Sequence, residues 1–291
     1  MRGVTGISTL KERIGRYGVW RSGRVFDVSF AVEADRLGFG ALWVGGQRGA
    51  GLEQPTQALE ATAEIVVGTG IVNIWTVDPR ELAASYRRVA AAHPDRFVLG
   101  VGVGHPENVG EQARRPYAAL VEFVEVLLGE GVPREALVLA ALGPRVLRLA
   151  AERTAGAHPY LVTPAHTRHA RDVLGPEPLL VPEQRVVLDA DPSSARDLAR
   201  PGIVTPYLGL VNYRNNLLRL GYTPEQLDTA DDALVDDLVV SGTPDQVAAG
   251  LAAHLEAGAD QVAVQLVVAD EMQAVPALRR LADVLELTPR T

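Results

Sequence analysis

Cysteine is absent from the chain, and this absence excludes several kinds of protein at once. A disulfide framework, a thiolate nucleophile and a zinc or iron–sulfur site with cysteine ligands all need it. Other signatures are missing too. No two histidines lie four residues apart beside a carboxylate, and there is neither a G-x-S-x-G motif nor a P-loop. Metalloenzyme, serine hydrolase and kinase chemistry lose support, and we expect no metal site.

Long apolar runs and excess positive charge are also missing. No stretch approaches the roughly 18 apolar residues of a membrane-spanning helix, and residues 1–8 lack the apolar region of a secretory signal. The formal net charge is -8 and Lys11 is the only lysine, which opposes the basic surface that nucleic acids or anionic membranes select. We therefore expect a cytoplasmic protein that acts on a small molecule, without a nucleic-acid or membrane partner.

The composition that remains is that of a folded domain, with 47% hydrophobic and 22% charged residues. Short β-branched runs alternate with longer Ala/Leu/Arg stretches of helical period, which is typical of βα units around a parallel sheet. Eight such runs favour a closed (β/α)8 TIM barrel over an open sheet, with one domain over residues 1–291. The candidate strands are residues 14–20, 41–44, 65–74, 97–101, 137–142, 156–162, 184–189 and 261–267.

Helix starts are marked by a capping residue followed by proline. They occur at Asp78, Thr163, Asp191, Thr223 and Thr243. The long interval between candidate strands seven and eight predicts a helical insertion at about residues 203–242. This insertion is either a subdomain that covers the barrel or makes a dimer contact, or a lid over the substrate.

Ligands bind a TIM barrel at the C-terminal ends of its strands, so glycines there are candidate site residues. Gly68 and Gly70 interrupt the third strand, which indicates either a packing bulge or a close approach by a ligand. Residues 99–108 follow the fourth strand with three alternating glycines and then His105. His105 is a candidate proton donor because imidazole titrates near neutral pH, although an exposed loop histidine explains the pattern equally simply.

Two further strand ends carry candidates. Gly143 and Pro144 open a predicted helix, whose free N–H groups and dipole suit a phosphate, with Arg145 beside them. An ordinary tight turn is the alternative. His158 lies in the sixth candidate strand, near the barrel rim, and either lines the pocket or is a hydrogen-bonded core residue. The other histidines fall on predicted helices, where we expect solvated side chains, and they are His93, His166, His169 and His254.

Taken together, these segments resemble the bacterial luciferase-like superfamily, and in particular its branch of oxidoreductases that use the deazaflavin coenzyme F420. The likeness covers nearly the whole chain, and its order and spacing are more specific than any one motif. The matching segments are residues 37–44, 67–71, 96–102, 140–144, 155–161 and 260–265.

The resemblance implies a barrel that is often dimeric and that holds the coenzyme ring against a bulge in strand three. In relatives this bulge contains a non-prolyl cis peptide, which corresponds to Gly70 and Ile71 here. The family pattern also implies that His105 is the proton donor and that Asn108 contacts the ring or tail.

The backbone of Ala141, Leu142 and Gly143 would bind the coenzyme phosphate, and His158 would line the site. Relatives carry an acidic residue and a histidine after strand two, where this chain has Gly45, Gly46 and Gln47. The resemblance implies a ring contact at Gly45, at the point where this chain departs from the family pattern.

Three hypotheses follow. The first is hydride transfer between F420 and a small organic substrate, with the coenzyme doing the chemistry and the barrel positioning it. The second is an FMN-dependent luciferase-like monooxygenase. The third is a coenzyme-binding protein without catalysis, which the change at Gly45 keeps open. In each case we expect a homodimer.

The first hypothesis predicts that His105→Asn lowers turnover by at least about 100-fold, the usual effect of losing a positioned acid or base. Coenzyme affinity should change little, because the implied contacts to phosphate and ring come mainly from backbone. Steady-state kinetics between about pH 6 and 8 check this, and near wild-type turnover would indicate an exposed loop histidine.

Overall fold

A computed structural model describes residues 6–104 and 115–290 of the chain. Within them the strands belong to one parallel sheet. In chain order they are β1 (Tyr17–Ser22), β2 (Ala41–Gly45), β3 (Val66–Thr69), β4 (Val72–Asn73), β5 (Phe97–Gly102), β6 (Leu137–Leu139), β7 (Gly156–Ala157), β8 (Leu179–Leu180), β9 (Glu183–Val187), β10 (Val239–Ser241) and β11 (Val262–Leu266).

Helices alternate with these strands along the described chain. They are α1 (Ile7–Ile14), α2 (Val28–Arg36), α3 (Glu53–Ala61), α4 (Pro79–Ala92), α5 (Pro116–Gly129), α6 (Pro144–Arg153), α7 (Pro164–Leu174), α8 (Pro192–Val204), α9 (Val211–Arg219), α10 (Pro224–Thr229), α11 (Asp232–Leu238), α12 (Pro244–Glu256) and α13 (Ala274–Val284). None of the helices described is long and apolar enough to cross a membrane.

The sheet closes on itself through one extended segment, residues 179–187. Its first part, β8, pairs with β7, and its second part, β9, pairs with β11, which in turn pairs with β1. On either side of this junction, Val181 N donates to Ala157 O and Ala263 N donates to Pro182 O, both at 2.9 Å. β3 and β4 likewise form one interrupted strand beside β5. Counted in this way, the closed sheet has eight strands. The predicted (β/α)8 barrel is confirmed.

The helical insertion between strands seven and eight is also confirmed. It contains α9, α10 and α11 together with the three-residue strand β10, which pairs with β9 and was not predicted. Its apolar side chains form a cluster of their own with the inner face of α8, at Ala195, Ala199, Ile203, Leu217 and Leu234.

The sequence signals for helix starts are confirmed at all five positions. Each capping side chain accepts a hydrogen bond from the first turn of its helix, and Thr223 and Thr243 form complete capping boxes. Strand limits were less accurate. Residue 14, predicted to open strand one, ends α1, and strand seven begins at Leu179 rather than at residue 184. Pro182 obscured that start, because a proline within a run argues against a central strand.

Apolar side chains fill the barrel, and α1 closes its N-terminal end. Leu10 and Ile14 pack with Trp43 and the inward-facing residues of the strands. Gln261 ties this layer together, since its side chain accepts from Trp43 Nε1 at 2.9 Å and donates to the carbonyl of Ile14. The opposite, C-terminal end of the strands, which we call the barrel mouth, is therefore where polar side chains can gather.

Two histidines predicted to be solvated are buried, so that prediction was wrong for His166 and His254. His254 donates from Nε2 to Gln184 Oε1 at 2.6 Å and accepts at Nδ1 from Thr167 Oγ1 at 2.8 Å. Burial lowers the pKa of both histidines to about 4. They are therefore neutral, hydrogen-bonded core residues on the inner faces of α7 and α12. His169 is exposed, as expected, and His93 is half-buried.

Candidate functional site

The barrel mouth brings most of the predicted site residues to one edge of the sheet. Gly45 ends β2, Gly70 and Ile71 follow β3, residues 141–143 follow β6 and His158 follows β7. Parallel strands in a closed barrel all end at the same rim, which is why residues so far apart in sequence meet. The other two predicted residues, His105 and Asn108, lie outside the described part of the chain.

The bulge at Gly70 lies between two aromatic side chains inside the barrel. Trp20 Nε1 donates to Gly70 O at 3.0 Å. A Cβ at Gly70 would lie 2.8 Å from Trp20 Nε1 and 2.9 Å from His158 Nε2, so a side chain at Gly70 would displace its neighbours. The peptide between Gly70 and Ile71 is cis, as expected.

His158 is held in one orientation by its neighbours. Its ring stacks on Trp43, with centroids 4.5 Å apart, and Nδ1 donates to Val181 O at 2.7 Å. Burial lowers the pKa of His158 to about 4, so the ring is neutral at physiological pH. Nε2 is then a buried acceptor with no partner among the described residues. Both sequence interpretations of His158 therefore hold in part. The residue is a hydrogen-bonded core residue, and its free Nε2 faces the bulge.

Residues 45–47, at the end of β2 and just after it, stabilise the bulge and carry no charged side chain. A Cβ at Gly45 would collide with the Trp20 ring. Gln47 N donates to Ile71 O at 3.2 Å, and Asn73 N donates to Gln47 O at 3.3 Å. The buried glutamine thereby joins the end of β2 to the bulge, a role that sequence reasoning missed.

The start of α6 forms a second part of the mouth. Gly143 is its N-cap and provides no capping side chain, and Pro144 follows. The space beyond Gly143 is open except for Arg219 of α9, whose Nη2 lies 3.8 Å from a Cβ placed there. Arg145, the arginine expected here, instead lies over the Tyr117 ring at 4.1 Å.

The same segment is fixed from behind. Ala141 is buried, and the Leu142 carbonyl lies 3.0 Å from His166 Nε2. Gly102 connects this segment to the bulge, since a Cβ on Gly102 would lie 2.7 Å from Ala140 Cβ and 3.4 Å from Ile71 Cδ1. The bulge and the start of α6 are therefore neighbouring parts of one site.

A buried polar cluster on β9 was not predicted. Arg185 Nη2 donates to Tyr160 Oη at 3.1 Å, and Tyr160 Oη donates to Gln265 Oε1 at 2.8 Å. The Arg185 guanidinium also lies 5.7 Å from the Tyr160 ring centroid and 5.2 Å from that of Tyr207. The available signal was a charged residue at every second position, Glu183 and Arg185, in a strand that ought to be apolar.

Burial affects the two charges of this cluster differently. Glu183 is fully buried and accepts from Leu161 N at 2.9 Å, and desolvation raises its pKa to about 7 against the opposing effect of Arg185. Desolvation lowers the pKa of Arg185, but Tyr160 and Glu183 outweigh it, and the net shift is upward. Arg185 therefore remains charged.

A cavity of about 310 Å³ opens beside this cluster, at the ends of β1, β9 and β11. Trp20 lines it, so a single side chain connects the cavity with the bulge at Gly70. The mouth as a whole has an aromatic region around Gly70, a helix start with an arginine, and an arginine-lined cavity.

The chain matches the family model described as luciferase-like monooxygenase over residues 26–130 and 129–261. No curated protein matches the sequence significantly. Among solved structures, an F420-dependent secondary alcohol dehydrogenase bound to an F420–acetone adduct is 14% identical, with 95% of this chain and 99% of that chain covered and a TM-score of 0.73.

Two further structures are similar over their whole length. The coenzyme F420-dependent tetrahydromethanopterin reductase from Methanopyrus kandleri is 17% identical, with 94% and 99% of the two chains covered and a TM-score of 0.69. The oxygenating constituent of 3,6-diketocamphane monooxygenase from Pseudomonas putida, bound to FMN, is 15% identical, with 94% and 98% covered and a TM-score of 0.66. At these identities the structures share the fold.

Gly70→Ala tests the packing at the bulge. We expect it to lower the free energy of unfolding by about 1–3 kcal/mol, because its methyl group has no room between Trp20 and His158. Gly129→Ala, where a Cβ meets nothing within 4 Å, is the matched control and should leave stability unchanged or slightly raised. Urea unfolding measures both, and equal stabilities would show that the bulge is loosely packed.

Proposed function

Because the chain belongs to the luciferase-like monooxygenase family, we propose that it is an oxidoreductase that transfers hydride between the deazaflavin coenzyme F420 and a small organic substrate. The observation that carries this proposal is the bulge at Gly70, where a missing side chain, two aromatic rings and an unpartnered buried histidine nitrogen meet. Two of the similar solved structures are F420-dependent enzymes, which supports the choice of coenzyme.

The residues present fit a planar coenzyme ring. Because Gly70 has no Cβ, Trp20 and His158 pack directly against the bulge, and Gln47 joins it to the end of β2. We assign His158 Nε2 as the acceptor for a ring N–H, since its Nδ1 already donates to Val181 O. A neutral histidine suits this role, because protonation would remove the lone pair.

The start of α6 fits the coenzyme phosphate. Free backbone N–H groups and the positive end of the helix dipole favour an anion beside Gly143. Arg219 adds a full positive charge at the same place, and the Leu142 carbonyl fixes the segment through its contact with His166 Nε2. Backbone contacts from residues 141–143 and one arginine side chain would then hold the phosphate.

The bound coenzyme supplies the carbon that gives or takes hydride. The chain positions the ring with rigid aromatic neighbours and keeps water away from the bulge through its buried packing. The proton that accompanies hydride transfer is assigned to His105, on the sequence argument alone.

An FMN-dependent monooxygenase is the second candidate. The description of the family model and the FMN-bound structure from Pseudomonas putida favour it. Both coenzymes have a planar ring system and a phosphate, so the bulge and the start of α6 suit either one. The two candidates differ in whether oxygen takes part in the reaction.

A titration followed by ring fluorescence separates the candidates. We expect F420 to bind more tightly than FMN, and equal or reversed affinities would overturn the deazaflavin proposal. Failure of both coenzymes to bind would overturn the assignment of the site.

Arg219→Gln tests the phosphate contact in the same assay. We expect it to weaken FMN binding by about 3- to 10-fold, the range for a solvent-screened charge, and to leave riboflavin, which lacks the phosphate, unaffected. Arg145→Gln is the matched control. This arginine lies in the first turn of α6, but its guanidinium packs over the Tyr117 ring.

A further inference from the structure

The cavity beside β9 has an unusual charge for this protein. Arg21, Arg24 and Arg185 line it, whereas Glu271 is its only acidic lining residue among those described. The whole chain has a formal net charge of -8. A concave surface with a local excess of positive charge concentrates anions, since its low-dielectric walls focus the field.

Two of these arginines are buried and rigidly placed. Arg185 is 5% exposed and is fixed by Tyr160 and by the flanking ring of Tyr207. Arg21 is 8% exposed, and its guanidinium lies 4.6 Å from the centroid of Phe30. A guanidinium that is already immobilised loses little further conformational entropy when a ligand binds.

Both arginines also retain unused hydrogen-bonding capacity. Nε of Arg21 and Nε of Arg185 are buried donors without a partner among the described residues. Arg21 Nη2 contacts Glu271 Oε2 at 2.5 Å, but the glutamate side chain is 53% exposed. An exposed carboxylate is a weak, displaceable partner for a buried guanidinium.

Apolar side chains also line the cavity, at Trp20, Leu198, Ala199 and Val267. A volume of about 310 Å³ is at the small end of ligand pockets. The cavity therefore combines basic and apolar lining residues in a space suited to a compact organic acid.

We propose that this cavity is the substrate site and that it binds a small organic anion, with a carboxylate held by Arg21 and Arg185 and an apolar body against Trp20. The proposal rests on the proposed function, because Trp20 connects the cavity to the bulge where the coenzyme ring is assigned. The coenzyme phosphate is assigned elsewhere, at the start of α6. This helix follows β6, which lies on the opposite side of the barrel from β1 and β11.

Benzoate and its neutral analogue benzamide are suitable probes, because they have the same shape and differ in charge. Calorimetric titration near neutral pH should show benzoate binding at least about tenfold more tightly than benzamide, as expected for charge-assisted hydrogen bonds. Equal affinities, or no binding of benzoate, would overturn the proposal.

Glu271→Gln gives the sharpest variant, since it removes the competing carboxylate from Arg21 without touching the buried cluster. We expect benzoate binding to tighten about 3- to 10-fold. Asp236→Asn is the matched control, because it removes a carboxylate from Arg196 on the surface of the insertion, outside the cavity lining. Identical effects of the two variants would show that overall charge, not the cavity, governs binding.

Arg185→Lys keeps the charge but loses the planar fork, and we expect it to weaken benzoate binding at least about tenfold. Glu271→Gln still tests the proposal if the lysine variant does not fold. Unchanged affinity in a folded lysine variant would remove Arg185 from the site.

Repeating the titration with saturating coenzyme identifies the source of the anion. Benzoate binding that persists supports a substrate site, whereas its loss would assign the arginines to the coenzyme's own anionic groups and overturn the proposal. Benzoate binding by a protein that binds neither coenzyme would support the anion site and contradict the proposed function. Coenzyme binding without benzoate binding would support the proposed function and contradict the anion site.

Discussion

The hydrogen bonds of residues 179–187 to both neighbouring strands are the constraint on which the barrel mouth depends. This segment pairs first with β7 and then with β11, and so converts a sheet with two edges into a ring. Closure also turns alternate side chains of β9 inwards, which places Glu183 and Arg185 in the mouth. In a sheet that did not close, Glu183 and Arg185 would lack their aromatic neighbours and would not be buried.

Desolvation then decides what each polar group in the mouth can do. It keeps His158 neutral and leaves its Nε2 as an acceptor, and it raises the pKa of Glu183 to about 7. Arg185 stays charged because Tyr160 and Glu183 stabilise it. The result is an uncharged bulge beside a positively charged cavity, and the proposed coenzyme ring and acidic substrate are assigned to these two places.

Local signals in the sequence predicted much of this architecture. Proline after a capping residue marked five helix starts, and interrupted β-branched runs located the bulge at Gly70. These features depend on neighbours within a few residues, so they can be recognised without the fold.

Contacts between distant segments were not predictable in the same way. Arg219 approaches Gly143 only because the insertion packs over the mouth, and β10 is too short to have a pattern. His254 was misjudged although it lies on the same helical face as Val247 and Leu251, because its partner Gln184 is 70 residues away. Tertiary burial overrode the polarity of that side chain.

The central claim is that the bulge and the start of α6 together hold one coenzyme molecule. A crystal structure of the protein with F420 bound tests this most directly. We expect the ring against Gly70 with a ring N–H near His158 Nε2, and the phosphate beside Gly143 and Arg219. A phosphate located at Arg21 and Arg185 instead, or a ring bound away from the bulge, would contradict the account.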